Sequence, residues 1–438
     1  MSRQAIFYAQ SGGATSVINA TAAGVILAAR AVGRPLYVGR NGICGALAEE
    51  LIDTRAESEA DIEALSYVPG CAFGSCRLKL PSFDDNPAVY ARIFDVFDAH
   101  DVGICLYNGG GDSQDTVSKL ASAGKCLGYP LRVIGLPKTI DNDLAGTDCS
   151  PGYGSAARYI ATATREVYCD LSAMAPTSSK VFLLEVMGRN TGWLALAGGL
   201  AHGANRKLPI MLLMPEQVWS WERCVCRVQE LIEESGCAVL VVAEGISDKL
   251  MVTGEYDWHF REVTQRGGLC SSDCTRVDVF GHRQMSGAAP ILAEQFRHRL
   301  GCKIQWAVAG YLQRAAAHLA SLVDREQARA VGTRAVELAA AGVSGVMVTI
   351  ERLSSQPYRW RLGSIAVSEV ANRVVGVPAE FWDEQRYDIS GAGREYLEPL
   401  IAGESTMRVD AYGLPNVITL NNRLLAQRLP KISWRDWF

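Results

Sequence analysis

The chain has 438 residues, of which 48% are hydrophobic and 21% charged, and its formal net charge is -4. That length exceeds one ordinary core, so two domains are expected, and the mixed charge excludes a nucleic-acid-binding or polybasic membrane surface. No apolar run reaches the ~18–20 residues of a membrane span, and Met1-Ser2-Arg3-Gln4 leads into a short apolar strand rather than a signal peptide, which predicts a cytoplasmic location.

Short apolar runs recur at residues 5–9, 36–38, 102–107, 132–136, 181–186, 210–214, 238–243 and 346–350. Segments of helical spacing, such as 17–31 and 331–341, lie between many of them. Continuous apolar strands alternating with helices predict buried parallel sheets and the α/β class, as two doubly wound Rossmann-like domains. The stretch 247–281 reads as a polar surface insertion, and the tail from Ser405 has no clear pattern. Thirteen cysteines spread through these elements read as reduced thiols. The pairs Cys224/Cys226 and Cys270/Cys274 lack zinc-knuckle spacing.

In such sheets ligands bind beyond the carboxyl ends of the strands, and the polar motifs fall there. Gln10-Ser11-Gly12-Gly13-Ala14-Thr15 follows the first run. Glycine there lets backbone approach an anion at a helix N-terminus, although a plain tight turn fits as well and no Walker lysine closes the loop. Gly109-Gly110-Gly111-Asp112-Ser113 supplies one carboxylate, either a magnesium ligand or a cap for the following helix. Pro137-Lys138-Thr139-Ile140-Asp141-Asn142-Asp143 packs a cation, a hydroxyl and carboxylates after a buried strand. That set suits phosphoryl transfer to an alcohol, with Asp141 as base and Lys138 as cation, and it also suits a solvated turn. Met187-Gly188-Arg189, Glu244-Gly245 and Tyr311-Leu312-Gln313-Arg314 could meet a sugar phosphate, or serve as a surface ion pair, a strand end and a helix start. His282, beside a glycine turn, reads as structural.

In order, the motifs SGG, GGGDS, PKTIDND, EVMGR, AEG and GYLQR resemble the phosphofructokinase family from Ser11 to about Gly403, and residues 336–378 resemble the longer pyrophosphate-dependent bacterial members. The resemblance implies a phosphofructokinase fold, a donor domain of 1–145 plus about 315–365, and a sugar-phosphate domain of 146–314 plus about 366–438. It implies an active site in the cleft between them. Gly12 would touch the donor phosphates, with Arg77 near the transferred phosphate and Asp112 holding Mg2+ or shaping the donor pocket. Thr139, Ile140 and Asp141 would contact fructose 6-phosphate, Asp141 taking the proton of the 1-hydroxyl. Met187, Gly188, Arg189 and Glu244 would line the sugar site, with Tyr311 and Arg314 at its 6-phosphate end.

ATP-using members resemble this chain less at two positions, where they carry glycine in place of Asp112 and Lys138. A carboxylate about 4 Å from the α-phosphate of ATP would cost roughly 1–4 kcal/mol, so pyrophosphate is the expected donor and the reaction is expected to be reversible. Gly111 stands where ATP-type members place a metal carboxylate. Lys180 and Gln305 stand where many members place arginines that reach a neighbour's 6-phosphate, with Lys303 as a substitute, which leaves sedoheptulose 7-phosphate open as a second acceptor. A homodimer or homotetramer is implied. An ATP-dependent enzyme and a non-catalytic regulatory homologue are the competing readings.

Overall fold

The computed structural model describes residues 3–203, 207–246 and 287–438; the predicted insertion at 247–281, with Cys270 and Cys274, and the histidine at 282 lie outside them. The chain forms two units, one of Met1–Ser155, Arg314–Val374 and Gly403–Phe438, the other of Ala156–Gln313 and Val375–Ala402.

The first unit is built on a seven-stranded sheet of β1 (Ala5–Gln10), β2 (Leu36–Gly39), β3 (Leu51–Asp53), β4 (Val102–Gly109), β5 (Arg132–Pro137), β10 (Val346–Ser355) and β11 (Tyr358–Ala366). Their order is β11-β10-β5-β4-β1-β2-β3. The five central strands run parallel, and each edge strand pairs antiparallel with its neighbour. Every residue of β1 and β4 is buried, which is why both read as unbroken apolar runs. Helix α1 (Ile18–Ala31) follows β1 and crosses the helix Leu322–Ala340. Glycines permit the crossing: a methyl at Gly24 would stand 2.2 Å from the carbonyl oxygen of Arg329, and one at Gly332 would stand 2.2 Å from that of Thr21.

Among its described residues the second unit holds a parallel four-stranded sheet in the order β7-β8-β6-β9, from β6 (Val181–Val186), β7 (Ile210–Leu213), β8 (Ala238–Ala243) and β9 (Ile304–Val308). All eight apolar runs are strands. Cys224 is buried in the helix Trp221–Ser235, whereas Cys226, two residues on, points to solvent, so the two thiols do not converge.

The division expected at 145 and 315 falls at Ser155/Ala156 and Gln313/Arg314. The assignment of 366–438 to the second domain is corrected at both ends, because only Val375–Ala402 belongs there. The tail docks on the first unit: Leu425, Leu429, Trp434 and Trp437 cover the core formed by Phe94, Phe97 and their neighbours. Buried Glu49 fastens it, accepting hydrogen bonds from the N–H groups of Arg428 at 2.6 Å and Leu429 at 3.0 Å, while His100 Nε2 lies 2.8 Å from its Oε1. Burial pushes the Glu49 carboxyl up, but these donors outweigh it, and it titrates below its usual range.

Glu49→Gln should remove a charge-assisted contact of about 2 kcal/mol, read as about 30-fold faster hydrogen exchange at Arg428 and Leu429. Since the folded pKa is the lower one, this stabilisation is whole above the unfolded value of roughly 4.3 and is lost as pH falls through the folded value. Unchanged exchange in the variant would mean that the tail is held by its apolar contacts alone.

Candidate active site

In the first unit the polar motifs meet at the carboxyl ends of β1, β4 and β5. Gly12 has φ +76°, a left-handed conformation that favours glycine, and its N–H donates to the Cys76 carbonyl at 3.0 Å. Ser75 Oγ donates to the Gly12 carbonyl at 2.7 Å. The segment 75–77 is thereby strapped alongside the turn, with a β-bridge between Ser11 and Cys76. A methyl at Gly13 would lie 2.5 Å from Arg314 Nη1 and 3.7 Å from Arg77 Nη2. Arg314, which the sequence groups with the sugar-phosphate residues, lies against the glycine turn, and it is the residue at which the chain re-enters the first unit. Tyr311 belongs to the second unit and is 64% exposed.

Lys138 follows β5 and is only 4% exposed. Its Nζ donates to the Gly13 carbonyl at 2.7 Å. Burial lowers its pKa to about 8; Cys71 and Asp141 support the charge, and Arg314 and Arg77 oppose it. Three cations therefore converge on one glycine turn, an arrangement that calls for an anion.

The residues after Lys138 form a tight turn. The Asp141 N–H donates to Thr139 Oγ1 at 3.1 Å, and Thr139 Oγ1 lies 3.4 Å from Asp141 Oδ2. Asn142 adopts φ +53°, tolerable for asparagine, and its Oδ1 accepts from the Ser150 N–H at 3.0 Å. Ile140 is buried beneath the turn. Thr139 also pairs with Gly152. Fully buried Asp324 holds that segment, accepting from the N–H groups of Gly152 at 2.8 Å and Ser155 at 3.0 Å. Neither Asp324 nor Asp143 was among the residues singled out from the motifs. Asp143 is pushed up by burial and by the charge of Asp141, with Asp112 adding to the effect and Lys138 opposing it. Asp112, Lys138 and Asp141 thus act on one electrostatic neighbourhood.

Asp112 sits in the first turn of the helix Gly111–Cys126, whose N-cap is Gly110. The capping alternative is therefore excluded, and the carboxylate is left to face Lys79 Nζ at 3.9 Å. A methyl at Gly111 would meet nothing within 4 Å, so the space over this helix start is open. Gln114 Nε2 donates to the carbonyls of Gly109 and Leu136, at 3.0 and 3.3 Å, and pins the ends of β4 and β5 together.

In the second unit, Met187, Gly188 and Arg189 follow β6, and Glu244 follows β8. The loops interlock: the Glu244 N–H donates to the Val186 carbonyl at 2.9 Å, and that of Gly245 to the Gly188 carbonyl at 3.1 Å. Buried Gln313 accepts from the Met187 N–H at 3.2 Å, a support that motif reading missed. Arg189 Nε is buried without a hydrogen-bond partner among the described residues. Lys180 precedes β6, at the strand end opposite Arg189, and Gln305 Nε2 donates to Ser179 Oγ at 3.4 Å on that same side.

The phosphofructokinase family profile matches residues 5–339. A pyrophosphate–fructose 6-phosphate 1-phosphotransferase of Methylococcus capsulatus is 47% identical over 433 residues, covering 98% of this chain and 99% of its own length. One from Xanthomonas campestris is also 47% identical, over 97% of this chain and 98% of its own. The crystal structure of a pyrophosphate-dependent phosphofructokinase from Nitrosospira multiformis superposes with a TM-score of 0.86 at 44% identity, covering 98% of this chain and 100% of that one.

Lys138 should lose its proton near pH 8, as followed by NMR of 13C-labelled lysine. Asp141→Asn should lower that value by removing a supporting charge, and Arg77→Ala should raise it. A midpoint above pH 10 would contradict the buried setting.

Proposed function

Because the chain belongs to the phosphofructokinase family, we propose that it transfers a phosphoryl group from pyrophosphate to the 1-hydroxyl of fructose 6-phosphate, reversibly, giving fructose 1,6-bisphosphate and orthophosphate. The observation that carries this reading is the buried Lys138, hydrogen-bonded to Gly13 with Arg77 and Arg314 alongside. A compact diphosphate carries its charge in one place, and this cation cluster matches it without any nucleotide contact. The full-length likeness to two phosphotransferases named for pyrophosphate supports the same donor.

The chemistry follows from the positions of the groups. Asp141, held by its Thr139 turn, accepts the proton of the 1-hydroxyl. The resulting oxygen attacks the terminal phosphorus, the bridging P–O bond breaks, and orthophosphate leaves with the electron pair. Lys138, Arg77 and Arg314 neutralise charge on the transferred and leaving phosphates. Arg314 is assigned here to the donor end. Met187, Gly188, Arg189, Glu244 and Tyr311 are the proposed sugar-phosphate residues, with Thr139 and Ile140 beside the reacting hydroxyl.

A divalent metal fits this site. Magnesium takes one or two carboxylates and completes its shell with phosphate oxygens and water. Asp112 and Asp143 meet that requirement, and their mutual repulsion is what a cation relieves. Among the described residues no three potential ligands converge into a preformed cage. Bound there, Mg2+ would screen charge on the diphosphate.

A homodimer or homotetramer is part of the proposal. Among the described residues β9 is an edge strand, with Trp306 and Val308 each about 40% exposed, a surface suited to a second copy. Cytoplasmic residence is supported by free thiols such as buried Cys105.

Assayed with magnesium, pyrophosphate should exceed ATP by ~10- to 1,000-fold in kcat/KM, as a like-charge penalty of 1–4 kcal/mol dictates; a dominant ATP activity would overturn the donor assignment. Lys138→Met should cut pyrophosphate turnover by roughly 100-fold. In the wild type kcat/KM for pyrophosphate should decline as pH rises past about 8, where the amine loses its charge. Asp141→Asn should lower kcat by ~100- to 10,000-fold with little change in sugar KM; retention of wild-type kcat would remove Asp141 as the base.

A further inference from the structure

The first unit gathers arginines around one aromatic ring that the chemistry above does not use. Tyr67 follows the short helix Glu59–Leu65. The Arg325 guanidinium, from the first turns of the helix Leu322–Ala340, stands 4.2 Å from the centroid of this ring. That of Arg408, from the tail, stands 5.2 Å from the same centroid, so the two cations are no farther apart than the sum of those distances. Arg329, one turn after Arg325, holds Glu63 through Nη1 at 2.5 Å and Nη2 at 2.6 Å. Arg408 also draws on Glu63. Asp324 supports the charge of Arg325 but accepts from the N–H groups of Gly152 and Ser155. Both carboxylates are thus already engaged.

Arg325 is only 6% exposed, and its Nε and Nη2 are buried with no hydrogen-bond partner among the described residues. Buried donors on a charged group are costly until an acceptor meets them. Ser405 is also 6% exposed, and its Oγ likewise has no partner among the described residues. The tail brings it to the helix start: the Leu322 N–H donates to the Gly403 carbonyl at 3.4 Å, and Glu404 forms a β-bridge with Ser321. Ser321 and Arg325 are four positions apart, on one side of the helix. We propose that Arg325, Arg408 and Ser405 form a second oxyanion site, built from none of the cations of the glycine turn, which takes a phosphate group and clamps the tail onto the helix start.

Two guanidinium forks and a hydroxyl offer donors from three directions, which suits the three free oxygens of a phosphate better than the two of a carboxylate. With charge-assisted bonds of ~2.8 Å on either side, one phosphate spans the gap between the forks. Arg325 is covered, so only a group of that size reaches it, whereas Arg408 is exposed and Tyr67 is half-buried. The phosphate can therefore be free orthophosphate or the head of a phosphate ester whose body stays in solvent. The occupant joins three stretches of the first unit, at Tyr67, at the helix start and in the tail. It also sits one residue from Asp324, which holds Gly152 and through it Thr139. None of this rests on the identity of the phosphoryl donor.

The test is equilibrium dialysis of the full chain against 32P-labelled orthophosphate, with hydrogen exchange read in parallel. Wild type should bind one phosphate per chain more than Arg408→Gln, a variant whose exposed site predicts an unchanged melting temperature without phosphate. Arg325→Lys keeps the charge but loses the fork, and should weaken this phosphate ~10- to 100-fold. Phosphate should slow exchange at Ser405 and Arg408 in wild type and leave it unaltered in Arg408→Gln. Methyl phosphate distinguishes the sources: competition at equal strength supports the site as the seat of an ester, and ~10-fold weaker competition supports it as the seat of orthophosphate. Equal phosphate uptake by wild type and Arg408→Gln, or tail exchange that phosphate does not slow, would overturn the proposal and leave a pocket filled by water alone.

Discussion

The hydrogen bond from Lys138 Nζ to the Gly13 carbonyl is the constraint on which the site depends. It places a cation where water is excluded, so the charge is weakened in isolation and strengthened by any anion that arrives. It also ties the end of β5 to the turn after β1, across the intervening β4. The glycine turn, Asp112 and Asp141 thus stand on adjacent strand ends. Asp324 extends the same logic outward, fixing Gly152 and through it Thr139.

Much of this was legible because the central strands are buried on both faces. β1, β4, β5, β6 and β8 are continuous apolar runs ending in glycine or charge, and the placement of the motifs at their ends followed directly. β3 has only three residues, three of the five positions of β9 are exposed, and β11 largely alternates exposed with partly covered positions, so neither length nor apolar continuity marked them. Asp141 and the buried Lys138 came from one heptapeptide, yet Asp143 in that heptapeptide was given no role of its own. Its importance lies in its proximity to Asp112, which is 31 positions away in the chain.

Arg314 shows a different limit. Local pattern placed it with Tyr311, three residues earlier, but the chain passes from one unit to the other between Gln313 and Arg314. The tail was opaque for a related reason. Its leucines and tryptophans have no helical or strand period, because they are spaced to fit the core they cover and the buried Glu49 that fastens them. Such fit is a property of the receiving surface, and the docking segment carries no signal of it.

The first unit is assembled from three separated stretches of chain, the last beginning at Gly403, and the second from two, the last beginning at Val375. During synthesis the ribosome therefore releases the glycine turn and its sheet long before the segment that covers their core. Neither unit has its full set of contacts until about 400 residues have emerged, and closing loops of that length slows folding. A nascent chain of this protein carries an uncovered apolar core through most of its own translation, which makes it a natural client for chaperones that shield such surfaces.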